Sequence, residues 1–127
     1  MAIETAFPDT LIKRGNPLPD DFRDFGIAVN HFFVGNGYTK LFTVPAGRVI
    51  GQHQHTRGHW SALLIGNVTL LVQGEPPMKM TAPTRVWVEA GREHAVHAET
   101  DALWACIWDN PHELTDPEAF DREVTRS

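Results

Sequence analysis

Short runs in which apolar and polar residues alternate dominate the chain from residue 37 onward, and turn residues separate one run from the next. Alternation of this kind is typical of β-strands, because successive side chains of a strand point to opposite faces. The pattern predicts strands over residues 38–44, 48–55, 60–65, 68–73, 78–81, 85–88 and 102–108, with a further short strand that begins at His94. About eight short strands, with turns every ~8 to 12 residues, predict an all-β sandwich or barrel.

The dipeptide Gly66-Asn67 lies between two of these runs and is the strongest hairpin signal in the chain. Glycine and asparagine tolerate the positive φ angles that a two-residue hairpin turn requires. We therefore expect residues 60–65 and 68–73 to pair as the two strands of one hairpin.

Residues 1–36 lack the strand pattern of the rest of the chain. Pro8, Pro17 and Pro19, with neighbouring glycine and aspartate residues, interrupt any long regular element and leave room for a helical turn around residues 21–25. The segment nevertheless carries too many apolar side chains for a solvated tail. We predict an N-terminal arm that packs on its own barrel or on a neighbouring subunit, and binding to another partner is the weaker alternative.

A short helix is predicted near the other end of the chain. Thr115 and Glu118 have the spacing of a capping box, with Pro117 between them, which is typical of a helix start. We expect a short acidic surface helix over residues 116–124 and assign it no chemistry. The predicted organisation is an arm (1–36), a barrel (37–112) and a C-terminal tail with a short helix (113–127).

Length, charge and cysteine content limit the classes of function. A chain of 127 residues can bury one core of its own. It carries 16 acidic against 11 basic residues, a formal net charge of -5, so it offers no basic face to a nucleic acid. The single cysteine, Cys106, excludes an internal disulfide and a thiolate zinc cluster, and its apolar surroundings predict a buried, inert thiol.

No membrane partner is expected either. The chain has no apolar run that approaches the ~18 residues of a membrane span. Its N-terminus lacks the basic-then-apolar pattern of a secretory signal. We therefore expect a soluble protein of the cytoplasm.

Three of the seven histidines lie within residues 47–66, at spacings of two and four. In an extended strand, His53 and His55 point to the same side. After a polar break at residues 56–58, His59 opens a new apolar run and can turn back toward the first two. Neutral imidazole nitrogens are the commonest protein ligands for several transition metals, so this cluster favours a metal site over the structural role that is usual for a single histidine.

These residues resemble the first conserved motif of the cupin superfamily, in which the position of His59 is usually a glutamate. The motif positions are occupied here by Gly47, His53, His55, His59 and Gly66. The stretch from Glu89 to His94 is similar to the second cupin motif, with Gly91 in its turn. It departs from that motif at Glu89, where proline is usual, and at Ala98, where asparagine is frequent. The resemblance spans residues 37–109.

The resemblance implies a cupin-type double-stranded β-helix (jelly-roll) barrel with an N-terminal arm and a short C-terminal helix. It also implies metal ligands at His53, His55, His59 and His94, which would hold one divalent transition metal per chain, with Fe, Ni, Zn, Mn and Cu all open. Since histidine replaces the usual carboxylate, four neutral imidazoles would leave the charge of the ion uncompensated and make it a stronger Lewis acid.

Three arrangements of these ligands stay open. Four histidines around tetrahedral zinc would close the coordination shell and disfavour catalysis. An ion with five or six positions would keep one or two of them for water, dioxygen or a chelating substrate. Alternatively, three histidines bind the metal and the fourth acts as an acid or base beside it.

For function, the resemblance implies a metalloenzyme acting on a small, oxygen-rich organic substrate, with dioxygenase or related oxidoreductase chemistry first and isomerase, lyase or hydrolase chemistry next. The alternatives are a non-catalytic module that binds a small ligand around a structural four-histidine metal site, and an assembly protein that works through its arm and sheet edges. Cupins commonly pair through such edges and arms, so a homodimer is expected.

A more specific resemblance, to one group of small cupins, does not narrow the predicted function. The stretch over residues 40–47, together with patterns at 53–61, 81–83 and 104–107, is similar to small single-domain cupins encoded in phage and bacterial genomes. The biochemical role of those proteins is not established, so the likeness names no substrate. A phage origin would place the protein in the cytoplasm of the host.

The sequence gives weaker support for other side chains as residues of the site. Ser61 shares the strand parity of His59 and could line the cavity, while Arg57 and Arg85 could bind a substrate carboxylate. His31 and His112 are expected to be structural or solvated, and His97 is expected to be a rim or surface group, with a supporting role behind the ligands as the alternative.

Overall fold

The computed structural model describes residues 27–52 and 55–124, so most of the predicted arm, the expected helical turn at 21–25 and His53 lie outside the described residues. Within these ranges the elements are β1 (Ala28–Val34), β2 (Gly37–Val44), β3 (Val49–Gln52), β4 (His59–Ile65), β5 (Asn67–Val72), β6 (Met78–Thr81), β7 (Thr84–Val88), β8 (His94–Ala98), β9 (Ala102–Asp109) and the helix α1 (Pro117–Val124). No helix in these two ranges is long and apolar enough to cross a membrane.

The strands form two sheets in which every neighbouring pair is antiparallel. One sheet has five strands in the order β1-β2-β9-β4-β7, and the other has four in the order β3-β8-β5-β6. The prediction of an all-β barrel made from two antiparallel sheets is confirmed.

The core lies between the two sheets, where the inward-facing side chains of alternate strand positions meet. Leu63 and Trp104 lie opposite each other in the five-stranded sheet, and Leu70 and Val96 do so in the four-stranded sheet. None of these four side chains is more than 1% exposed. Full burial of a side chain of this kind contributes about 1.5 to 3 kcal/mol. The alternation that predicted the strands therefore also marks the residues that hold the sheets together.

The hairpin expected at Gly66-Asn67 is wrong. β4 pairs with β7 and β9, whereas β5 pairs with β6 and β8, so this turn carries the chain from one sheet to the other. The register of β4 against β9 shifts between Leu63 and Ile65, and this bulge bends the strand where the chain leaves its sheet. Gly66 does adopt a positive φ of 93°. Turn chemistry thus predicts the local conformation correctly, but it does not encode which strand becomes the partner.

Gly66→Ala is expected to lower the free energy of unfolding by about 3 kcal/mol. A Cβ atom at this position would lie 2.2 Å from the carbonyl oxygen of Asp101, in a backbone conformation that L residues rarely adopt. Gly74→Ala is the matched control, because Gly74 has a φ of +83° but nothing within 4 Å of the added atom. The control should cost about 1 kcal/mol. If urea unfolding gave equal losses of stability for the two variants, the close approach of the added Cβ atom to Asp101 would contribute nothing to the cost of Gly66→Ala.

Strand β1 comes from the region predicted as an arm. It forms an edge of the five-stranded sheet and pairs with β2 along its whole length, from Ala28 opposite Thr43 to Val34 opposite Gly37. Residues 28–34 therefore pack on the barrel of their own chain, which is one of the two alternatives for the arm. The division of the chain into arm, barrel and tail stays a prediction.

Helix α1 differs from the surface helix that the sequence predicts. Asp116 rather than Thr115 caps it, since its Oδ2 accepts a hydrogen bond from the amide of Ala119 at 3.1 Å. Phe120 and Val124 are 0% and 1% exposed and belong to the hydrophobic core of the barrel. The helix is thus acidic on one side and buried on the other.

Candidate metal centre

Three of the four predicted ligands meet inside the barrel. His55 lies in the segment between β3 and β4, His59 is the first residue of β4, and His94 is the first residue of β8. One ligand atom from each lies within 4.8 Å of the others, and their ring centroids are 5.0, 5.5 and 5.9 Å apart. The fourth, His53, lies outside the described residues, so its part in the site stays a prediction.

The two facing sheets bring these histidines together. His59 belongs to the five-stranded sheet, where it pairs with Val88 of β7. His94 belongs to the four-stranded sheet, where it pairs with Gln52 of β3 and Val72 of β5. Both side chains point between the sheets and are only 2% and 1% exposed. Residues far apart in sequence therefore face each other across the barrel interior.

Burial keeps these imidazoles uncharged. Loss of solvation lowers the pKa of His59 to about 3, with a further contribution from the neighbouring His94. The same cause lowers the pKa of His94 to about 4. At neutral pH both rings therefore carry an unprotonated nitrogen, which is the form that binds a metal. The cluster found among the described residues contains no carboxylate or thiolate that would offset the charge of a divalent ion.

Several buried nitrogens of the cluster are unsatisfied. Nδ1 of His59 and one ring nitrogen of His94 have no hydrogen-bond partner among the described residues, and the other His94 nitrogen has only a backbone contact with Arg92. A buried polar atom in this state costs about 1 to 3 kcal/mol. Coordination of a metal would satisfy one nitrogen on each ring. The three histidines could therefore hold a metal ion, and the residues present fit the divalent ion that the sequence resemblance implies.

Ser61 contacts the other nitrogen of His59. Its Oγ lies 3.3 Å from Nε2 of His59 and donates to Sγ of Cys106 at 3.7 Å. Because the hydroxyl donates to the sulfur, Oγ can accept a hydrogen bond from Nε2–H of His59, and the tautomer with its proton on Nε2 leaves the lone pair on Nδ1 for a metal. Ser61 is 0% exposed and lies on the inner face with His59. Strand parity indicated that position, but no feature of the sequence indicates the hydrogen bond.

Trp108 forms one wall of the cluster. Its ring stacks on His59 with centroids 4.0 Å apart and an interplanar angle of 18°, and it meets His55 edge-on at 4.8 Å. Phe120 of α1 contacts the same indole ring at a centroid distance of 6.0 Å. The sequence alone does not show that Trp108 faces the interior, because the register of β9 cannot be derived from it.

Helix α1 also holds the loop that carries His55. The amide of Thr56 donates to the carbonyl of Val124 at 2.7 Å, and its hydroxyl donates to the carbonyl of Glu123 at 3.2 Å. On the other side of the loop, the amide of Gly91 donates to the carbonyl of His55 at 2.9 Å. Sequence reasoning missed this role of the helix. The signal that could have found it is the four-residue spacing of its apolar side chains, which predicts one buried face.

The remaining candidates are engaged away from the cluster. Arg57 donates to the carbonyl of Asp109 at 3.0 Å. Arg85 lies over the ring of Trp60, 4.5 Å from its centroid, on the outer face of the sheet. The other histidines outside the cluster pair as His31 with Tyr38, His97 with Glu99 and His112 with Glu123.

Neither protein-family models nor curated proteins give a match to this chain. Among solved structures, DMSP lyase DddQ from Ruegeria pomeroyi matches with a TM-score of 0.64 and 22% identity, over 80% of this chain and 55% of that one. KdgF from a Halomonas species matches with a TM-score of 0.58 and 19% identity, over 67% and 81%. An RmlC-like cupin family protein with a double-stranded β-helix fold, from Methanocaldococcus jannaschii, matches with a TM-score of 0.58 and 13% identity, over 68% and 82%. The protein has the cupin fold.

In this cupin barrel, the two motif-like stretches fall on neighbouring parts of the interior. The first supplies His55 and His59 at the approach to β4, and the second supplies His94 at the start of β8. His59, at the position where the motif that the sequence resembles usually has glutamate, lies inside the cluster. Identities between 13% and 22% show a shared fold and leave the reaction to be inferred from the site.

Proposed function

We propose that this cupin binds one divalent transition metal per chain through His55, His59 and His94, with His53 as a fourth ligand, and that it is a metalloenzyme acting on a small organic substrate with oxygen ligands. The observation that carries the proposal is the convergence of His59 and His94 from opposite sheets with His55 from the segment between β3 and β4, with ligand atoms within 4.8 Å of one another. The unsatisfied nitrogens of His59 and His94 support it further, because a purely structural role would give each of them a hydrogen-bond partner.

The chain's own residues prepare the site for this chemistry. A bound divalent ion would act as a Lewis acid on a coordinating substrate oxygen. Since the histidines are neutral, they would leave the charge of the ion uncompensated, and this favours a substrate with an anionic oxygen. Ser61 holds the tautomer of His59 that presents Nδ1, and Trp108 covers one side of the cluster.

A cavity of about 370 Å³, lined by residues of β5, β6 and β7 and by none of the three histidines, offers room for the substrate. Its volume lies in the usual range for small-molecule sites. The apolar walls include Leu70, Val72, Met78, Val86 and Val88. Of these, Val72 and Val88 are the direct cross-strand neighbours of His94 and His59. We infer that an apolar part of the substrate occupies the cavity while its oxygen atoms face the histidines.

Oxidoreductase chemistry of the dioxygenase type is the first reaction class in this proposal, because four imidazole ligands leave one or two coordination positions open on an ion that takes five or six. A metal-assisted lyase is the second, and the DMSP lyase among the structural neighbours favours it. The non-catalytic alternative is a small-ligand-binding module in which His53 completes a closed structural site.

Elemental analysis of tag-free protein, purified without chelators, tests the metal site. We expect about one divalent metal per chain. After anaerobic loading with Fe(II), the absorption spectrum should change when small chelating acids are added. Oxygen consumption with such acids would support the dioxygenase class, and turnover without oxygen would support the lyase class. Far less than one metal per chain, with no reloading, would refute the proposal, whereas a tightly held metal that responds to no ligand would favour the binding module.

Ser61→Ala is expected to weaken metal affinity by about 10- to 100-fold without unfolding the protein. The variant removes the hydroxyl that fixes the tautomer of His59 and leaves every proposed ligand in place. Competition with a chromophoric chelator measures the change. Thr69→Val is the matched control, because Thr69 is also 0% exposed but its hydroxyl donates to Glu99. An affinity of Ser61→Ala equal to that of the wild type would show that Ser61 does not position His59.

A further inference from the structure

A line of buried aromatic side chains runs from the histidine cluster toward the edge of the five-stranded sheet. Trp108 stacks on His59, and Tyr38 is the direct cross-strand neighbour of Trp108. Residues that face each other in this way have Cβ atoms about 4.5 to 5.5 Å apart. Phe120 contacts both rings, with centroid distances of 4.3 Å to Tyr38 and 6.0 Å to Trp108. An indole and then a phenol therefore follow one another inside the core, beginning at a proposed ligand.

The line ends at a tyrosine–histidine pair. The hydroxyl oxygen of Tyr38 lies 2.6 Å from Nδ1 of His31, and the two rings are nearly parallel, with an interplanar angle of 7°. Tyr38 is only 1% exposed, whereas His31 is exposed on the edge strand β1. The pair thus joins a buried phenol to a base that solvent can reach.

The protonation states suit transfer of a proton within this pair. Burial raises the pKa of Tyr38, and the charge of Asp121 raises it further, so the phenol keeps its proton at neutral pH. Burial also lowers the pKa of His31, and the charge of Lys40 lowers it further. A neutral His31 with its ring proton on Nε2 can accept the phenolic proton at Nδ1. Since a phenol that loses an electron becomes a strong acid, a base at this distance makes its oxidation easier.

We propose that Tyr38 and His31 form a redox pair, which supplies one electron through Trp108 to a peroxide that is reduced at the histidine cluster in the absence of substrate. The inference rests on the proposed metal site. Trp108 gives up an electron first, because its ring stacks on His59. Tyr38 then returns an electron to the oxidised indole while its phenolic proton moves to Nδ1 of His31. The product is a neutral tyrosyl radical on Tyr38, away from the ligands.

The electrons and protons balance with hydrogen peroxide as the oxidant. Reduction of one peroxide to two waters takes two electrons and two protons. One electron comes from a bound Fe(II) ion, which becomes Fe(III), and the other comes from Tyr38. One proton comes from solvent, and the other leaves the phenol by way of His31. Without Tyr38, the second electron would come from Trp108 or from the imidazole rings themselves, so the pair protects the ligands from oxidation.

Electron paramagnetic resonance of rapidly frozen samples tests the proposal. The full-length protein is loaded anaerobically with Fe(II) and mixed with hydrogen peroxide. We expect a tyrosyl radical in the wild type, and it must lie on Tyr38 because the chain has a single tyrosine. Tyr38→Phe should lack the radical, and peptide mass spectrometry should show severalfold more oxidation of the cluster histidines in this variant.

Trp108→Phe tests the path and should lose most of the radical at equal iron content, which is measured before mixing. Trp104→Phe is the matched control. Trp104 lies on the same strand and is also buried, but it pairs with Phe42 and Leu63 instead of Tyr38. Its radical yield should equal that of the wild type.

A second measurement needs no metal. In chelator-treated protein, azide radicals from pulse radiolysis oxidise tryptophan to the indolyl radical, with release of azide and a proton. Tyr38 should reduce this radical in a first-order step, seen as growth of the tyrosyl absorption, while the indole regains its proton from solvent. His31→Ala should slow the step by about 100-fold, because the phenolic proton loses its positioned acceptor. His112→Ala is the control, since His112 is exposed and pairs with Glu123 instead.

Circular dichroism must show that each variant is folded, and the His31→Ala experiment carries the test if Tyr38→Phe is not. A protein that binds iron but forms no tyrosyl radical would overturn the inference and leave the proposed metal site intact. A radical that settles on Trp108 or Cys106, or an unchanged rate in His31→Ala, would overturn it too. If the chain takes up no iron, the proposed function and the path from the cluster fail together, and the azide experiment decides whether Tyr38 and His31 form a redox pair.

Discussion

The His94→Leu variant is expected to bind no metal and yet to be more stable than the metal-free wild type. It loses a ligand, so metal affinity should fall by more than about 100-fold, since changes to residues behind the ligands already cost about 10- to 100-fold. At the same time, an apolar side chain replaces a buried imidazole that has at least one nitrogen without a partner. The free energy of unfolding of the metal-free protein should rise by about 1 to 2 kcal/mol. Elemental analysis and urea unfolding in a chelator measure the two effects.

His97→Leu is the control for this substitution. His97 lies on the same strand as His94 but pairs with Glu99 at 3.1 Å, outside the cluster. This variant should keep its metal and gain no stability. If His94→Leu retained a full complement of metal, His94 would not be a ligand. If the variant were instead less stable than the metal-free wild type, the imidazole of His94 in the wild type would have to be hydrogen-bonded by the protein itself.

Phe120→Ala is expected to lower the free energy of unfolding by about 3 to 5 kcal/mol, the usual cost of truncating a buried aromatic side chain. We also expect weaker metal binding in the fraction that stays folded. Phe120 packs on Tyr38 and Trp108, and its helix accepts the hydrogen bonds of Thr56 that hold the loop carrying His55. Urea unfolding gives the stability, and chelator competition at low temperature gives the metal affinity.

Glu118→Ala is the control on the same helix, because Glu118 is exposed. It should change stability by no more than about 0.5 kcal/mol and leave metal affinity unchanged. A folded Phe120→Ala protein with the metal affinity of the wild type would show that α1 stabilises the barrel without organising the site.

The strands could be predicted from the sequence because their signal is local. Alternation of apolar and polar positions depends on the backbone of one strand, and it located β2, β4, β5, β6, β7 and β9 to within about two residues. Sheet membership is not local. The turn at Gly66 has the φ angle that a hairpin needs, but β4 and β5 find their partners in different sheets. The pairing depends on how the two sheets close over their shared core, which no short stretch of sequence records.

In the candidate site, too, the local features could be predicted from the sequence and the contacts between distant segments could not. The spacing of His55 and His59 indicates convergence by itself, whereas His94 was added only through the resemblance to the second cupin motif. Ser61, Trp108 and α1 complete the site through contacts between segments that are distant in sequence. Each of them has an ordinary local explanation as a strand residue or a surface helix. Their roles appear only when the register of β9 and the docking of α1 are known.

Strand β9 lies at the centre of the five-stranded sheet although it is the last strand of the described chain. Without it, the β1-β2 and β4-β7 pairs have no hydrogen-bonded connection in that sheet. On the ribosome, the strands of these two pairs are therefore made before the strand that joins them, and each pair has an unpaired edge until β9 is added. Unpaired edges are templates for pairing with the wrong chain. The risk of mispairing with another chain is thus highest during synthesis, and a chaperone that shields strand edges would be most useful at that stage.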